Sequence, residues 1–314
     1  MKVIYDLGQR KYHFKNSILA IGVFDGLHVG HRHLIRKVVA KARLLKGTSL
    51  VMTFSPHPVH ILNPSVKLPL LATLEQRLKL MADFGVDFCI VMRFTKAFSC
   101  LSPEGFIHRY LISSTHVREI FVGENFRFGK SRAGDGRFLK RFLNPFKVRV
   151  HVVRTLRKGK HIVSSSYIRH LIREGQVGIA GRLLGRYVSC CGRVVRGDGR
   201  GRKLGFPTAN INPPRQLIPA PGVYQAQAII GDKTYWGMVN VGYRPSFTKP
   251  DIPANIEVHI FDFRKNIYGM TITVQFLKKI RDEKWFPSPE ALVNQLKKDQ
   301  AKIKRLFSKS SKKR

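Results

Sequence analysis

The chain has 314 residues, 43% of them hydrophobic and 10% aromatic. That composition supports two packed domains and excludes a disordered or low-complexity polypeptide. Lys and Arg total 57 against 19 acidic residues, a formal net charge of +38 that both halves share: 32 basic and 10 acidic residues precede position 186, and 25 and 9 follow from there. No run of about 18 apolar residues occurs, and Met1-Lys2-Val3-Ile4-Tyr5-Asp6 lacks the apolar core of a signal peptide, so a soluble, cytoplasmic protein with no membrane segment is expected. Cys89, Cys100, Cys190 and Cys191 show no metal-ligand spacing, and adjacent Cys190 and Cys191 would make an awkward disulfide, which leaves reduced thiols as the simplest reading.

In the first part, apolar segments near 18–22, 49–54, 87–92, 117–122 and 148–153 alternate with helical patterns near 31–46, 73–84, 103–112 and 135–143. The alternation predicts an α/β domain with a parallel, Rossmann-like sheet. After the first strand comes Gly22-Val23-Phe24-Asp25-Gly26-Leu27-His28-Val29-Gly30-His31. A strand, a tight glycine turn and a helix start make a phosphate site, because unpaired N–H groups meet the positive end of the helix dipole there. His28 and His31 can both face that site and steady charge developing on a transferring phosphorus, while Gly30 leaves room for a nucleotide. Two surface histidines at a helix start are the plainer alternative in a chain with 12 of them. The position after strand and turn favours nucleotidyl transfer. Ligands of such sheets bind beyond the carboxyl ends of the strands, where His28, His57 and Asn125 all fall.

Residues 164–184 read as helical, with Ser164 to Ser166 able to cap the start, Gly185 ending it, and Gly175, Gly178 and Gly181 breaking it into two shorter helices. This is the expected bridge, and the domain boundary is placed after residue 185. From Arg186 the pattern turns to β, near 188–195, 223–230, 235–241, 256–263 and 270–276, with Gly, Pro and Asp turns between. Short, regular strands predict a small antiparallel barrel over 186–307. A final helix begins at Ser288 or Pro289 with Leu292, Leu296 and Ile303 on its buried side, and 308–314 form a basic tail.

Inside the second part, residues 197–210 read Gly-Asp-Gly-Arg-Gly-Arg-Lys-Leu-Gly-Phe-Pro-Thr-Ala-Asn. A glycine-rich basic loop can fold closely over phosphates, and the Thr208 hydroxyl and Asn210 carbonyl are hard oxygen ligands of the kind Mg²⁺ accepts beside them. The segment is not a Walker loop, which needs Gly-Lys-Ser/Thr at a helix start; Pro207 and the following Pro213-Pro214 oppose a helix, so it is read as a loop between strands. Taken alone, it could equally be a flexible basic turn.

The tetrapeptide Pro207-Thr208-Ala209-Asn210 resembles the riboflavin kinase signature, and the rest of the chain extends the likeness. Gly22-x-Phe24-Asp25-Gly26-x-His28-x-Gly30-His31 is followed by Thr53-Phe54-Ser55-Pro56-His57-Pro58, Gly123-Glu124-Asn125-Phe126-Arg127-Phe128-Gly129 and Val163-Ser164-Ser165-Ser166-Tyr167-Ile168-Arg169. From about residue 15 to about residue 305 the chain resembles the bacterial bifunctional riboflavin kinase/FAD synthetase family. Ser166 stands where that family usually has Thr, and the hydroxyl is kept.

The resemblance implies ATP, riboflavin and FMN as substrates and Mg²⁺ as cofactor. It implies that Glu257, in Asn255-Ile256-Glu257-Val258-His259, is the kinase base rather than a surface carboxylate, and that Thr208 and Asn210 hold the metal under a loop ending at Gly205. Asn240 and Gly242 shape that site, with Arg244 either there or a structural anchor. In the adenylyl-transfer half it implies His28 and His31 at the ATP phosphates, with Gly22, Phe24 and Asp25 in their turn. It also implies His57 and Asn125 aligning substrate, and Ser164, Ser165 and Arg169 on phosphate. His57, between two prolines, could instead be a rigid loop residue.

The charge of +38 exceeds what two nucleotide sites need. It leaves incidental nucleic-acid binding through the basic surface as a partner expectation. It also leaves two alternatives: a nucleic-acid-binding protein reusing the fold, and a kinase with weak adenylyltransferase activity. Residues 297–314 carry nine Lys/Arg and one acid, Asp299, and read as a solvated helix end or as a nucleic-acid arm.

Overall fold

The computed structural model describes residues 1–7, 12, 14–212, 216–242 and 255–311, the side chains of 308–311 excepted, so Arg244, Pro213, Pro214 and residues 312–314 lie outside the described residues. It divides into two compact units, Met1–Ser165 and Ser166–Arg314. The helices Ser165–Arg173 and Val177–Leu184 fall, except for Ser165 itself, in the second of these units.

The first unit is built on a six-stranded sheet in the order Lys2–Tyr5, Phe88–Arg93, Ser49–Ser55, Ile18–Ile21, Glu119–Gly123, Arg149–Val153. Every pairing in it is parallel. Its central strands are apolar throughout because both faces are covered. Leu19, Ile21, Leu50, Met52 and Ile90 point into one core layer, and Ile18, Ala20, Val51, Cys89 and Val91 into the other with Ile35, Val38 and Val39 of the helix Val29–Leu44. The edge strand Lys2–Tyr5 is not among the expected strands, being short and with Tyr5 exposed. The helix Leu74–Asp83 starts with a capping box between Thr73 and Gln76. The stretch read as one helix over 103–112 is a turn of α-helix, Pro103–Phe106, running into a π-helix, Ile107–Ile112.

In the second unit, Gly175, at φ +70°, separates the two helices, and Gly185, at φ +73°, ends the second. Six antiparallel strands then close a barrel in the order Val188–Val195, Ala209–Asn212, Asn255–Ile260, Lys233–Gly242, Gly222–Ile230, Thr271–Arg281. Five of these match strands expected from the sequence. The sixth, Ala209–Asn212, begins in the segment expected to be a loop, which also contains a single helical turn, Arg200–Lys203. The strand expected over 256–263 stops at Ile260, before Asp262 at φ +54°. The final helix, Pro289–Ser311, receives a cap from the Ser288 hydroxyl, which accepts the Ala291 N–H. It seats Ile303 against Phe206, Met238 and Phe261, with Phe307 over Trp236 at 3.8 Å between rings. Asp299, the lone acid of the cationic stretch, is buried and pairs with Arg281 at 2.8 Å.

Candidate active sites

In the first unit, strands are added outward on one side of Ile18–Ile21 and later on the other, and such a reversal leaves a crevice at the carboxyl ends of the strands. A cavity of about 740 Å³ opens there, lined by Gly22, Phe24, His28, Gly30, His31, His57, Asn125, Ser164 and Ser165 among others. His28 is the N-cap of the helix Val29–Leu44: its Nδ1 accepts the His31 N–H at 3.2 Å, which puts the ring proton of neutral His28 on Nε2. The two imidazoles stack, 3.6 Å between centroids and 17° between planes. His31 Nδ1 is shielded from solvent with no hydrogen-bond partner. Burial, and then the neighbouring His28, hold the His31 pKa well below 6.5, so this ring is neutral at pH 7.

Asp25 is placed differently from the sequence assignment. Its buried carboxylate accepts the Leu71 and Ala72 N–H groups at 3.1 and 3.4 Å and is not among the cavity-lining residues. Buried Arg77, which sequence reasoning missed, donates to the Val23 carbonyl at 2.8 Å and to Thr53 Oγ1 at 3.0 Å. Together they tie the glycine turn to the neighbouring segments from behind, and the Ser165 hydroxyl donates to the Asp25 carbonyl at 2.9 Å. His57 lines the cavity and also caps the helix Pro58–Leu62, accepting the Val59 N–H at 3.2 Å, so it is both a rigid loop residue and a wall. Asn125 stands beside Thr155, whose N–H and hydroxyl are held by Glu124 at 3.0 Å. Arg169 is not among the lining residues; it is buried on the helix Ser165–Arg173, in the second unit.

The cavity also has an aromatic wall whose role the sequence does not assign: Phe54, Phe94, Phe98, Phe106, Phe126 and Phe128 all line it. Their ring centroids lie 5.4–6.0 Å apart in sequence from Phe94 to Phe98, Phe106, Phe128 and Phe126. Phe54 comes from the strand Ser49–Ser55 and the others from separate segments between residues 94 and 128; the sequence motifs contain Phe54, Phe126 and Phe128, but only the fold gathers all six.

On the barrel, Asn210, Glu257 and Asn240 occupy directly opposed positions on three adjacent strands. Cross-strand partners share a face. Ile256 and Val258 are fully buried on the opposite face, so alternation puts Glu257 and His259 beside the two asparagines. Asn255 Nδ2 donates to Glu257 Oε1 at 2.6 Å. The glycine-rich loop is folded against this row: a Cβ on Gly197 would collide with the Asn210 carboxamide, and one on Gly201 would collide with the Phe206 carbonyl and sit 3.3 Å from Thr208 Oγ1. Gly205, at φ +79°, makes the turn out of the Arg200–Lys203 helix. Glu283, not anticipated, brings its carboxylate against Gly242 beside Asn240. His259 is buried between Phe206 and Phe261, and its Nδ1–H donates to the Pro207 carbonyl at 2.8 Å. Burial lowers its pKa, against a smaller opposing effect of that hydrogen bond, and the ring is neutral with a single N–H.

Residues 10–167 match the FAD synthetase family model and residues 184–307 the riboflavin kinase model. The bifunctional riboflavin kinase/FMN adenylyltransferase of Bacillus subtilis is 36% identical, with 93% of each chain covered. The enzyme of that name from Buchnera aphidicola subsp. Schizaphis graminum is 34% identical, covering 98% of this chain and 99% of its own. This chain belongs to the bifunctional riboflavin kinase/FMN adenylyltransferase family. Within this riboflavin kinase/FMN adenylyltransferase, the cavity lies wholly in the segment matching FAD synthetase, and the Asn210–Glu257–Asn240 row in the segment matching riboflavin kinase. A solved structure described as a macrolide-efflux protein from Streptococcus pneumoniae superposes with a TM-score of 0.88 at 32% identity, over 97% of this chain and 99% of that one. Efflux is said of that protein; among the described residues here, no helix is long and apolar enough to cross a membrane.

Proposed function

We propose that each unit carries one of two consecutive reactions. The chain is a riboflavin kinase and FMN adenylyltransferase, making FMN and then FAD. The observation that carries the kinase assignment is the register that sets Glu257 between Asn210 and Asn240. Asn255 holds one carboxylate oxygen, and the other takes the proton from the primary hydroxyl of riboflavin as ATP gives up its terminal phosphoryl group. Thr208 and Asn210 supply two uncharged hard oxygens, a donor set that suits Mg²⁺ when nucleotide phosphates provide the remainder. A metal bound there would neutralise phosphate charge. The glycine-rich loop, already packed on Asn210, covers the nucleotide.

In the cavity, the FMN phosphate arrives ionised and attacks the α-phosphorus of a second ATP while pyrophosphate leaves, so catalysis is alignment and charge stabilisation. His28 presents its Nε2–H; together with His31 and the N-terminus of the helix Val29–Leu44 it stabilises the transferring phosphate. The aromatic wall takes the flavin ring, and His57, Asn125, Ser164 and Ser165 align the phosphates around it.

Incubation with riboflavin, ATP and Mg²⁺ followed by separation of flavins tests the reading: FMN and FAD both form, and chelation stops both. FMN alone would support a kinase with a failed second site. Flavin products absent at every Mg²⁺ concentration would remove the assignment. The cytoplasm is the proposed setting, since all four cysteines are unpaired and burial pushes the Cys89 and Cys190 thiols up to about 12. The charge of +38 supports weak nucleic-acid binding in addition. RNA retention that falls steeply with salt is the expected result.

A further inference from the structure

The start of the strand Ala209–Asn212 poses a backbone problem. Its ladder with Asn255–Ile260 begins at Ala209 opposite Val258, and the preceding residue pair, Pro207-Thr208, lies beyond the last paired position. Proline has no N–H to donate, so the ladder cannot extend through it. Yet Thr208 must be held still if its hydroxyl is to serve as a ligand, and the loop before it is rich in glycine.

His259 supplies the missing tie. It lies on the Glu257 face of the same strand, and its Nδ1–H donates to the Pro207 carbonyl at 2.8 Å. The ring is wedged between Phe206 and Phe261, with centroids at 5.3 and 5.6 Å. Met238, its cross-strand partner, packs with Phe206, Phe261 and Ile303. The carbonyl of Pro207 and the N–H of Thr208 belong to one planar peptide, so fixing the first fixes the second. We infer that His259 is a positioning residue for the kinase: its side chain replaces the absent ladder hydrogen bond, sets the Pro207–Thr208 peptide, and registers the Thr208 hydroxyl against the strand that carries Glu257. The inference rests on the reading of Thr208 and Asn210 as the Mg²⁺–nucleotide site.

The full-length protein tests it through two variants. His259→Leu keeps apolar bulk without the donor, and His259→Asn keeps a donor near the Nδ1 position. For His259→Leu, the Mg²⁺ concentration giving half-maximal riboflavin phosphorylation should rise about tenfold or more, with a smaller change in kcat at saturation. Amide exchange in the 198–212 peptide of the free protein should quicken. His259→Asn should recover most of both, and conversion of supplied FMN to FAD should be unchanged in either. Wild-type Mg²⁺ dependence and exchange in a folded His259→Leu protein would overturn the inference. So would equal losses in both variants accompanied by a common fall in Tm, which would mark His259 as packing alone. Thr208→Ala separates the two readings. If it leaves the Mg²⁺ requirement unchanged, the metal assignment fails by itself, while exchange in the His259 variants still reports whether the anchor exists.

Discussion

Glu257 and the His28–His31 pair do different chemistry and should fail differently. Glu257→Gln retains size and the contact with Asn255 but loses the basic oxygen, so FMN formation from riboflavin should fall by roughly 10²-fold or more. Conversion of supplied FMN to FAD should survive. Replacing His28 and His31 together by Ala removes the stacked imidazoles and the helix cap, and should block FAD formation while FMN accumulates. Single-turnover assays with each flavin as starting substrate distinguish these outcomes, and loss of both reactions in a folded Glu257→Gln protein would refute the two-site account. His31 also carries a pH signature. Its folded-state pKa lies below its unfolded value of 6.5, so the unfolded chain binds more protons in the window between them. Stability is therefore full above about 6.5 and declines as pH falls through that window. Calorimetry between pH 7 and 5 should show a shallower acid decline for His31→Gln than for the natural protein.

Among elements, the glycine-rich loop is the one whose placement decides a site. It approaches Asn210 so closely at Gly197 that no side chain fits. Gly197→Ala should raise the KM for ATP in the kinase assay by an order of magnitude or more, because the displaced loop or the displaced Asn210 disturbs the same site. FMN adenylylation should be untouched, and a Gly197→Ala kinase with natural kinetics would show that the close approach is not needed. Half of this arrangement could be read from the residues: glycines, Thr208 and Asn210 announce phosphate and metal chemistry by type. That Ala209–Asn212 is a barrel strand could not, since four residues behind a proline carry no alternation long enough to detect. Its strand character comes from pairing with Val188–Val195 on one side and Asn255–Ile260 on the other.

For the whole molecule, the boundary between what matters and what does not falls after Phe307, in the last turn of the final helix. Phe307 closes the cluster under that helix by packing on Trp236, whereas 308–314 add only basic and small polar residues. Deleting 308–314 should leave both activities nearly unchanged and weaken any salt-sensitive RNA binding. Deleting from 303 onward should instead unfold the barrel at lower temperature, because Ile303 is fully buried. Calorimetry with paired flavin assays checks both, and a large loss of turnover in a folded 308–314 deletion would show that the tail has a catalytic role.

By itself the sequence determined the alternation of strands and helices, the change to a barrel after residue 186, and the motifs that name the chemistry. Periodicity and residue type are local properties, and they survive without a fold. The tertiary structure decided which of those residues share a site. Asp25 sits inside a phosphate-turn motif but turns its carboxylate to Leu71 and Ala72. Six phenylalanines dispersed from 54 to 128 form one wall. His259 reaches the Pro207 carbonyl across a register that only strand pairing sets. Each of these depends on contacts between residues far apart in the chain, whose geometry is fixed by packing and hydrogen-bond closure rather than by any neighbour in sequence.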